Sequence, residues 1–453
     1  MTLPRSVAVI DIGKTNAKLA LIDGATGQQI DSRSTPNSVV TSGIYPHADV
    51  ERLWQFILEG LQTLHAAHGV DGISITTHGA TAALMAGEEL SLPVLDYEHA
   101  GPQETRAEYD AVRPEFSESL SPRLPNGLNL GAQIFWQAKR FPKEFAAATA
   151  ILTYPQYWAF RLTGIAASEA TSLGCHTDLW APARTDFSSL VAELGWRSKF
   201  PPLRPAISVL GPMSAEIVAR TGLPPSTPVT CGIHDSNASL VPYLSGDAPL
   251  TIISSGTWTI AMTLSGDVSQ LDKVRDSLAN VDALGRAVPT ARFMGGREFD
   301  LLVPQIVTPT PADIEKVIDQ DIRIQPSFTP GVGPFPNGQG RWTVAPELLS
   351  DGVRNAAATL YLALLTQSSL SLCGIGKKII IEGPLARNAF YGELLVALTG
   401  VPVRGSADAT GTSLGASMLF GTSSLAKHQG IVRSSFQMPG LNAYVARWQA
   451  DNA

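Results

Sequence analysis

Asp11-Ile12-Gly13-Lys14-Thr15-Asn16-Ala17-Lys18 combines residue types and a spacing that could do chemistry. Apolar runs at 7–10 and 19–22 flank it, which predicts a β-hairpin with a polar turn. Gly13 permits a tight turn, so that backbone N–H groups and the Thr15 hydroxyl can converge on an anion. Lys14 and Lys18 add positive charge beside that turn. Asp11 ends the first strand, where a carboxylate near bound phosphate is repelled unless a divalent cation lies between them. The pattern suggests a metal–nucleotide site; the rival reading is an ordinary hairpin with a polar turn.

Three further stretches carry reactive groups. Thr77-His78-Gly79 follows a buried strand at 72–77, at the carboxyl end where open α/β sheets place ligands. Residues 93–99 read as a short strand ending in Asp96 and Glu98, either of which could hydrogen-bond sugar hydroxyls. Val229-Thr230-Cys231-Gly232-Ile233-His234-Asp235-Ser236-Asn237 runs from a strand into a helix start, where Asp235 suits either a helix cap or a general base.

A second hairpin, with Ser254-Ser255-Gly256-Thr257-Trp258 at its turn, repeats the logic of the first. Two such hairpins, each near the start of a half, predict two domains of similar design, 1–245 and 246–453, with the boundary near 243–249. The first half has a helix from about Asp49, with Leu53, Phe56, Ile57, Leu61 and Leu64 on one face and Gly69 closing it. Residues 103–165 read as mostly helical, with Trp136, Tyr157 and Trp158 as core or cleft wall. In the second half, a long apolar helix at about 353–373 precedes a strand at 379–381. That strand runs into Gly383-Pro384-Leu385-Ala386-Arg387-Asn388, a turn against which a flat ring could lie. A helix containing 411–416 then completes that half. Strand–helix alternation predicts an α/β fold in both halves.

The 453 residues exceed one ordinary core. A hydrophobic content of 44% with 16% charged residues is that of a globular protein, and the net charge of -7 argues against a nucleic-acid footprint. Three scattered cysteines, Cys175, Cys231 and Cys373, form no CxxC pair and fit a reducing compartment. The first strand begins at once, leaving no room for a signal peptide, and no run of about 18 uninterrupted apolar residues predicts a membrane span. A cytoplasmic enzyme is expected. Neither GxxxxGK[ST] nor GxGxxG occurs in the first βα region, which excludes the commonest nucleotide kinases and dinucleotide enzymes.

Together these motifs resemble the FGGY family of carbohydrate kinases, within the actin/hexokinase/Hsp70-like ATPase fold, and they cover nearly the whole chain in order. Residues 11–18 look like its first phosphate motif and 254–258 like its second. Residues 383–388 resemble the adenosine turn and 412–416 the glycine-containing helix after it. His78 and Gly79 are similar to the sugar-contacting motif, and 157–164 to a Tyr/Trp-Arg-Leu-Thr-Gly segment. Gly232-Ile233-His234-Asp235-Ser236 with 254–258 looks most like the rhamnulokinase and fuculokinase members. Gln133-Ile134-Phe135-Trp136 departs from the helix signature, and Gly383-Pro384 from the usual Gly-Gly.

The resemblance implies two ribonuclease H-like domains with an active-site cleft between them that closes on binding. It implies transfer of the γ-phosphate of ATP to a hydroxyl of a ketose or deoxyketose like L-rhamnulose or L-fuculose. Alternatives are D-ribulose, D-xylulose, a tetritol or tetrulose, or a non-catalytic sensor on the same fold. Asp235 is implied as general base and Asp11 as the Mg²⁺ residue. Gly13, Lys14, Thr15, Asn16, Lys18, Ser255, Gly256 and Thr257 would hold the phosphates. Gly383, Pro384, Arg387 and Asn388 would hold adenosine. His78, Gly79, Asp96 or Glu98, His234 and Asp235 would hold the sugar. ATP and the sugar are the expected partners, with no nucleic acid or membrane; whether the chain forms a homodimer is left open.

Overall fold

Val7, Ala8, Val9 and Ile10 are each at most 1% exposed. So continuous an apolar run belongs to a strand covered on both faces. That strand, Ser6–Ile12, lies inside the first sheet of a computed structural model that describes residues 3–244, 249–406, 411–421, 431–433 and 438–452. The sheet orders Val209–Gly211, Val229–Thr230, Gly72–Thr77, Ser6–Ile12, Asn16–Asp23 and Gln29–Pro36, with Ile233–His234 also pairing to Gly72–Thr77. Ser6–Ile12 and Asn16–Asp23 form the predicted antiparallel hairpin. Ser6–Ile12, Gly72–Thr77 and Ile233–His234 are mutually parallel, so their carboxyl ends share one edge.

The helix Val50–His68 begins where predicted. The Asp49 carboxylate accepts the Arg52 N–H, Gly69 closes the helix, and Leu53, Ile57, Leu61 and Leu64 are buried. Trp136, Tyr157 and Trp158 are core residues. Two readings need correction. Residues 93–99 form no strand; beyond one bridge from Leu95 to His47, Pro93 offers no N–H and the His99 N–H folds back to the Asp96 carbonyl. Within the span read as mostly helical, Ala150–Thr153 instead pairs with Ala82–Ala86 in a small sheet.

By density of contacts the chain divides into two units: Met1–Gly246 with Ala279–Ala287 and Thr410–Lys427, and Asp247–Leu278 with Val288–Ala409 and His428–Ala453. The boundary read from the sequence, between 245 and 246, lies outside the described residues. The helix expected to complete the second half, Gly411–Ser417, belongs to the first unit. There Ser74 Oγ donates to the Ala416 carbonyl at 2.7 Å. A Cβ on Gly415 would stand 1.8 Å from the Ala238 carbonyl oxygen, so only glycine allows that approach.

The second unit repeats the plan. The hairpin Leu250–Ser255 and Thr259–Leu264 carries a parallel strand, Ile379–Glu382, on its other side, followed by Val403–Gly405. The helix Asp351–Cys373 is long and apolar enough to cross a membrane, yet its residues are largely buried in this unit's core beside Leu394 and Leu395. Its start is fixed by Ser350, whose Oγ accepts the Val353 N–H.

Candidate active site

The three parallel strand ends of the first unit deliver Asp11, His78 and the pair His234–Asp235 to one edge of the sheet. In register, Asp11 stands opposite Thr76 and Lys18, and His234 opposite Thr77. This is where open α/β sheets gather ligands.

Asp235 opens a four-residue helix, and its side chain is 32% exposed. All its partners fall on one oxygen. Oδ1 accepts the Ser236 N–H at 2.6 Å and the Ser236 hydroxyl at 3.3 Å, with His234 Nε2 at 3.3 Å. The cap position itself is His234, which makes no capping bond. Burial raises the Asp235 pKa, opposed by the neighbouring His78 and the Ser236 bonds. His234 is 4% exposed, and burial lowers it to about 4, so it is neutral at physiological pH. It was expected to orient the sugar; instead Nδ1 meets Asn237 and Nε2 meets Asp235, so it braces the carboxylate.

His78 Nδ1 faces the Gly79 carbonyl at 3.0 Å. A carbonyl only accepts, so Nδ1 carries the proton and Nε2 keeps its lone pair. Burial lowers the His78 pKa, with Asp235 opposing and Lys14 and His234 assisting. Gly79, expected at the sugar, packs on the His234 ring: a Cβ there would lie 2.6 Å from Nε2.

The Asp96 and Glu98 side chains are 10% and 65% exposed respectively. Lys14, grouped with the phosphate donors from the sequence, turns its ammonium to Asp96 Oδ1, with Glu98 Oε2 at 3.5 Å and the Tyr97 ring centroid at 4.6 Å. Lys14, His78, Thr81, Asp96 and Tyr97 line a cavity of about 20 Å³, room for roughly one water. Larger hollows of about 950 Å³ beside Trp448 and about 1110 Å³ beside Phe420 contain none of these groups.

The first hairpin turn is closed by Gly13, whose N–H donates to the Asn16 carbonyl at 2.9 Å and so is not aimed at an anion. Thr15 and Asn16 are exposed at its tip, and Asn16 Nδ2 donates to the Thr15 hydroxyl at 3.2 Å. Burial raises Asp11 to about 6; the Ser413 hydroxyl at 3.0 Å lowers it, Asp235 raises it and Lys18 lowers it. A buried carboxylate in the field of a second one is short of positive charge. Among the described residues no three His, Cys, Asp or Glu side chains cluster for a metal. That donor set fits magnesium, which takes one or two carboxylates and completes its shell with water and phosphate.

In the second unit Gly256 and Thr257 are exposed at the hairpin turn, and no atom lies within 4 Å of where a Gly256 Cβ would stand. Ser255 instead braces two turns: its Oγ donates to the Glu382 carbonyl at 2.5 Å and accepts the Leu385 N–H at 3.0 Å. Gly383 has φ +78° and sits so close that a Cβ would be 2.0 Å from the Ser255 carbonyl oxygen. Gly383, Pro384 and Arg387 are exposed. Asn388 Oδ1 caps the helix Ala389–Thr399 by accepting the Tyr391 N–H. The bare glycine turn at Gly256 fits a phosphate chain, which backbone can approach only where no side chain intervenes.

Residues 6–242 match the FGGY family of carbohydrate kinases, N-terminal domain, and 247–429 match the carbohydrate kinase FGGY, C-terminal domain. The crystal structure of a carbohydrate kinase from Novosphingobium aromaticivorans superposes with a TM-score of 0.92 at 35% identity, covering 99% of both chains. An L-fuculokinase of Salmonella typhi is 25% identical over 291 residues, 61% of this chain and 61% of that protein. A probable L-xylulose kinase of Pasteurella multocida is 24% identical over 277 residues, 58% of this chain and 56% of that one. The matched region thus spans about three fifths of these curated relatives. With both halves matched in order and a two-unit α/β fold shared end to end with a solved carbohydrate kinase, the chain belongs to the FGGY family of carbohydrate kinases.

Proposed function

We propose that the protein transfers the γ-phosphate of ATP to a hydroxyl of a ketose or deoxyketose of the L-fuculose or L-rhamnulose kind, with Asp235 as general base. The observation that carries this reading is the carboxylate of Asp235. It is held through one oxygen and partly open, at the sheet edge it shares with Asp11 and His78, and its pKa is raised by burial. The L-fuculokinase relatives favour the deoxyketose class.

Phosphoryl transfer asks for positioning and charge neutralisation more than covalent chemistry. The sugar hydroxyl oxygen attacks the γ-phosphorus in line, its proton passes to Asp235, and the bond to ADP breaks. His78 Nε2 and Asp96 accept hydrogen bonds from other sugar hydroxyls, with Lys14 holding Asp96 in place. Asp11 would hold Mg²⁺, directly or through water, and the ion would supply neutralisation of phosphate charge. The Thr15 hydroxyl, Lys18, Gly256 and Thr257 receive the phosphates, while Gly383, Pro384 and Arg387 border adenosine.

ADP release with Mg-ATP tests this across L-fuculose, L-rhamnulose, L- and D-xylulose, L- and D-ribulose and erythritol. Release that depends on one or two ketoses, and falls roughly 10²–10⁴-fold in Asp235→Asn, is expected. Release indifferent to every sugar refutes the kinase reading, and near-full activity in Asp235→Asn refutes the base.

A further inference from the structure

Asn237 is 0% exposed and lies two residues beyond the proposed base. Its Nδ2 stands 3.1 Å from His234 Nδ1 and 3.5 Å from the Thr171 carbonyl oxygen. A carbonyl oxygen only accepts, so the Asn237 atom facing it is the amide nitrogen. The same nitrogen faces His234 Nδ1, which must then be the acceptor. The ring proton of neutral His234 therefore sits on Nε2, and Nε2 is the atom 3.3 Å from Asp235 Oδ1. The opposite tautomer would set two lone pairs against each other at that contact.

We infer that Asn237 is a positioning residue for phosphoryl transfer. It locks His234 as the Nε2–H tautomer, which turns the positive N–H edge of the ring to Asp235 Oδ1, the oxygen Ser236 already holds, and leaves Oδ2 as the oxygen that takes the sugar proton. The inference rests on Asp235 being the base. Among the described residues Oδ2 accepts no hydrogen bond, while Oδ1 accepts two from Ser236 and has His234 Nε2 in charge-pair contact at 3.3 Å. A carboxylate so divided presents one oxygen in one direction, which is what a general base needs.

The scaffold behind the pair is built for fixed geometry. The His234 N–H donates to Thr171 Oγ1 at 3.1 Å, and Thr171 donates in turn to buried Glu169 at 2.6 Å. The ring has no freedom to flip, because Asn237 holds one edge and Gly79 leaves space for the other only by lacking a side chain. Asn237 acts through His234, as a partner on the far nitrogen of an imidazole commonly does.

The wild-type protein decides the tautomer directly. With ¹⁵N-labelled histidine, the His234 ring is expected to show a protonated Nε2 and an unprotonated Nδ1 from about pH 6 to 8. A proton on Nδ1 overturns the inference, whether or not any sugar is phosphorylated. Absence of sugar-dependent ADP release with Nε2 protonated would instead count against the function alone.

Asn237→Asp supplies the second test. An acceptor at 237 draws a proton onto Nδ1, making His234 an imidazolium beside Asp235. The groups around Asp235 are Asp11, His78, Tyr97 and His234, with Glu169 behind Thr171; the helix Gly411–Ser417 brings no titratable side chain. A new positive charge there moves the acid limb of the kcat/KM profile to lower pH and lowers kcat by at least about tenfold, with the sugar KM within about threefold. An unmoved acid limb with an unprotonated Nδ1 in the folded variant overturns the inference. Should that variant not fold, the wild-type spectrum stands as the deciding measurement.

Discussion

Gly79→Ala tests the brace behind Asp235 by one added methyl group. The Gly79 backbone lies outside the left-handed region, so alanine is locally allowed and the effect is steric. The new Cβ would stand 2.6 Å from His234 Nε2, 2.9 Å from Cδ2 and 3.7 Å from Cys175 Sγ. Carbon contacts relax only near ~3.5 Å, so the ring must retreat by about 1 Å. The Nε2 to Asp235 Oδ1 contact of 3.3 Å has no slack for that movement and is lost. A displacement of ~1 Å in a group that places a reacting atom costs roughly 10²-fold. Overpacking should also lower stability by about 1–3 kcal/mol. The assay is kcat for sugar-dependent ADP release beside a thermal melt, in Gly79→Ala, Asp235→Asn and the double variant. Because the methyl acts through Asp235, the double variant should be no slower than Asp235→Asn alone. A folded Gly79→Ala with kcat within about threefold of wild type, or losses that multiply in the double variant, would refute the reasoning.

Two more perturbations separate binding from folding. Gly256→Ala meets no protein atom within 4 Å, so stability should stay within about 0.5 kcal/mol while the KM for ATP rises, read from melts and ATP titrations; an unchanged KM would remove Gly256 from the phosphate site. Glu169 is buried, and burial raises its carboxyl to about 7 despite the Thr171 and Ser172 hydrogen bonds. Its folded form thus binds the proton more tightly than the unfolded chain does, so stability is fullest below about pH 4.5 and declines as pH rises to about 7, by roughly 3 kcal/mol at most. Denaturant unfolding at pH 5 and pH 8 should show wild type losing ground to Glu169→Gln; parallel curves would contradict the buried proton.

The hairpins, the parallel strands at Gly72–Thr77 and Ile379–Glu382 and the helix Val50–His68 were readable because each is written in a local pattern: an apolar run, a polar turn, a cap or a closing glycine. Asp11, His78 and Asp235 were readable for the same reason, since Asp11 sits at the end of a strand and the other two each follow directly on one. The partners of these groups were not. Ser413 reaches Asp11 from 402 positions away, and Lys14 reaches Asp96 from 82. Neither pairing leaves a trace in local spacing, because it depends on which loops come together. Asn237 was in plain view as a polar residue at a helix start, and only the distances to His234 and Thr171 reveal its direction. Residues 93–99 misled because Val94 and Leu95 are buried with only a single bridge, to His47, and apolarity reports burial more faithfully than it reports backbone shape.

The helix Gly411–Ser417 ties the first unit to the order of synthesis. The strand Ser6–Ile12 leaves the ribosome well before its neighbour at Asp11, Ser413, which is made 402 residues later. At about 5–20 residues per second, that wait is on the order of 20–80 s. During it, Ser74 lacks its Ala416 acceptor and the apolar cluster of Val7, Val9, Ala20 and Ile22 lacks Ala416 and Leu419. The nascent chain must therefore keep that apolar face from other chains until its own late helix arrives.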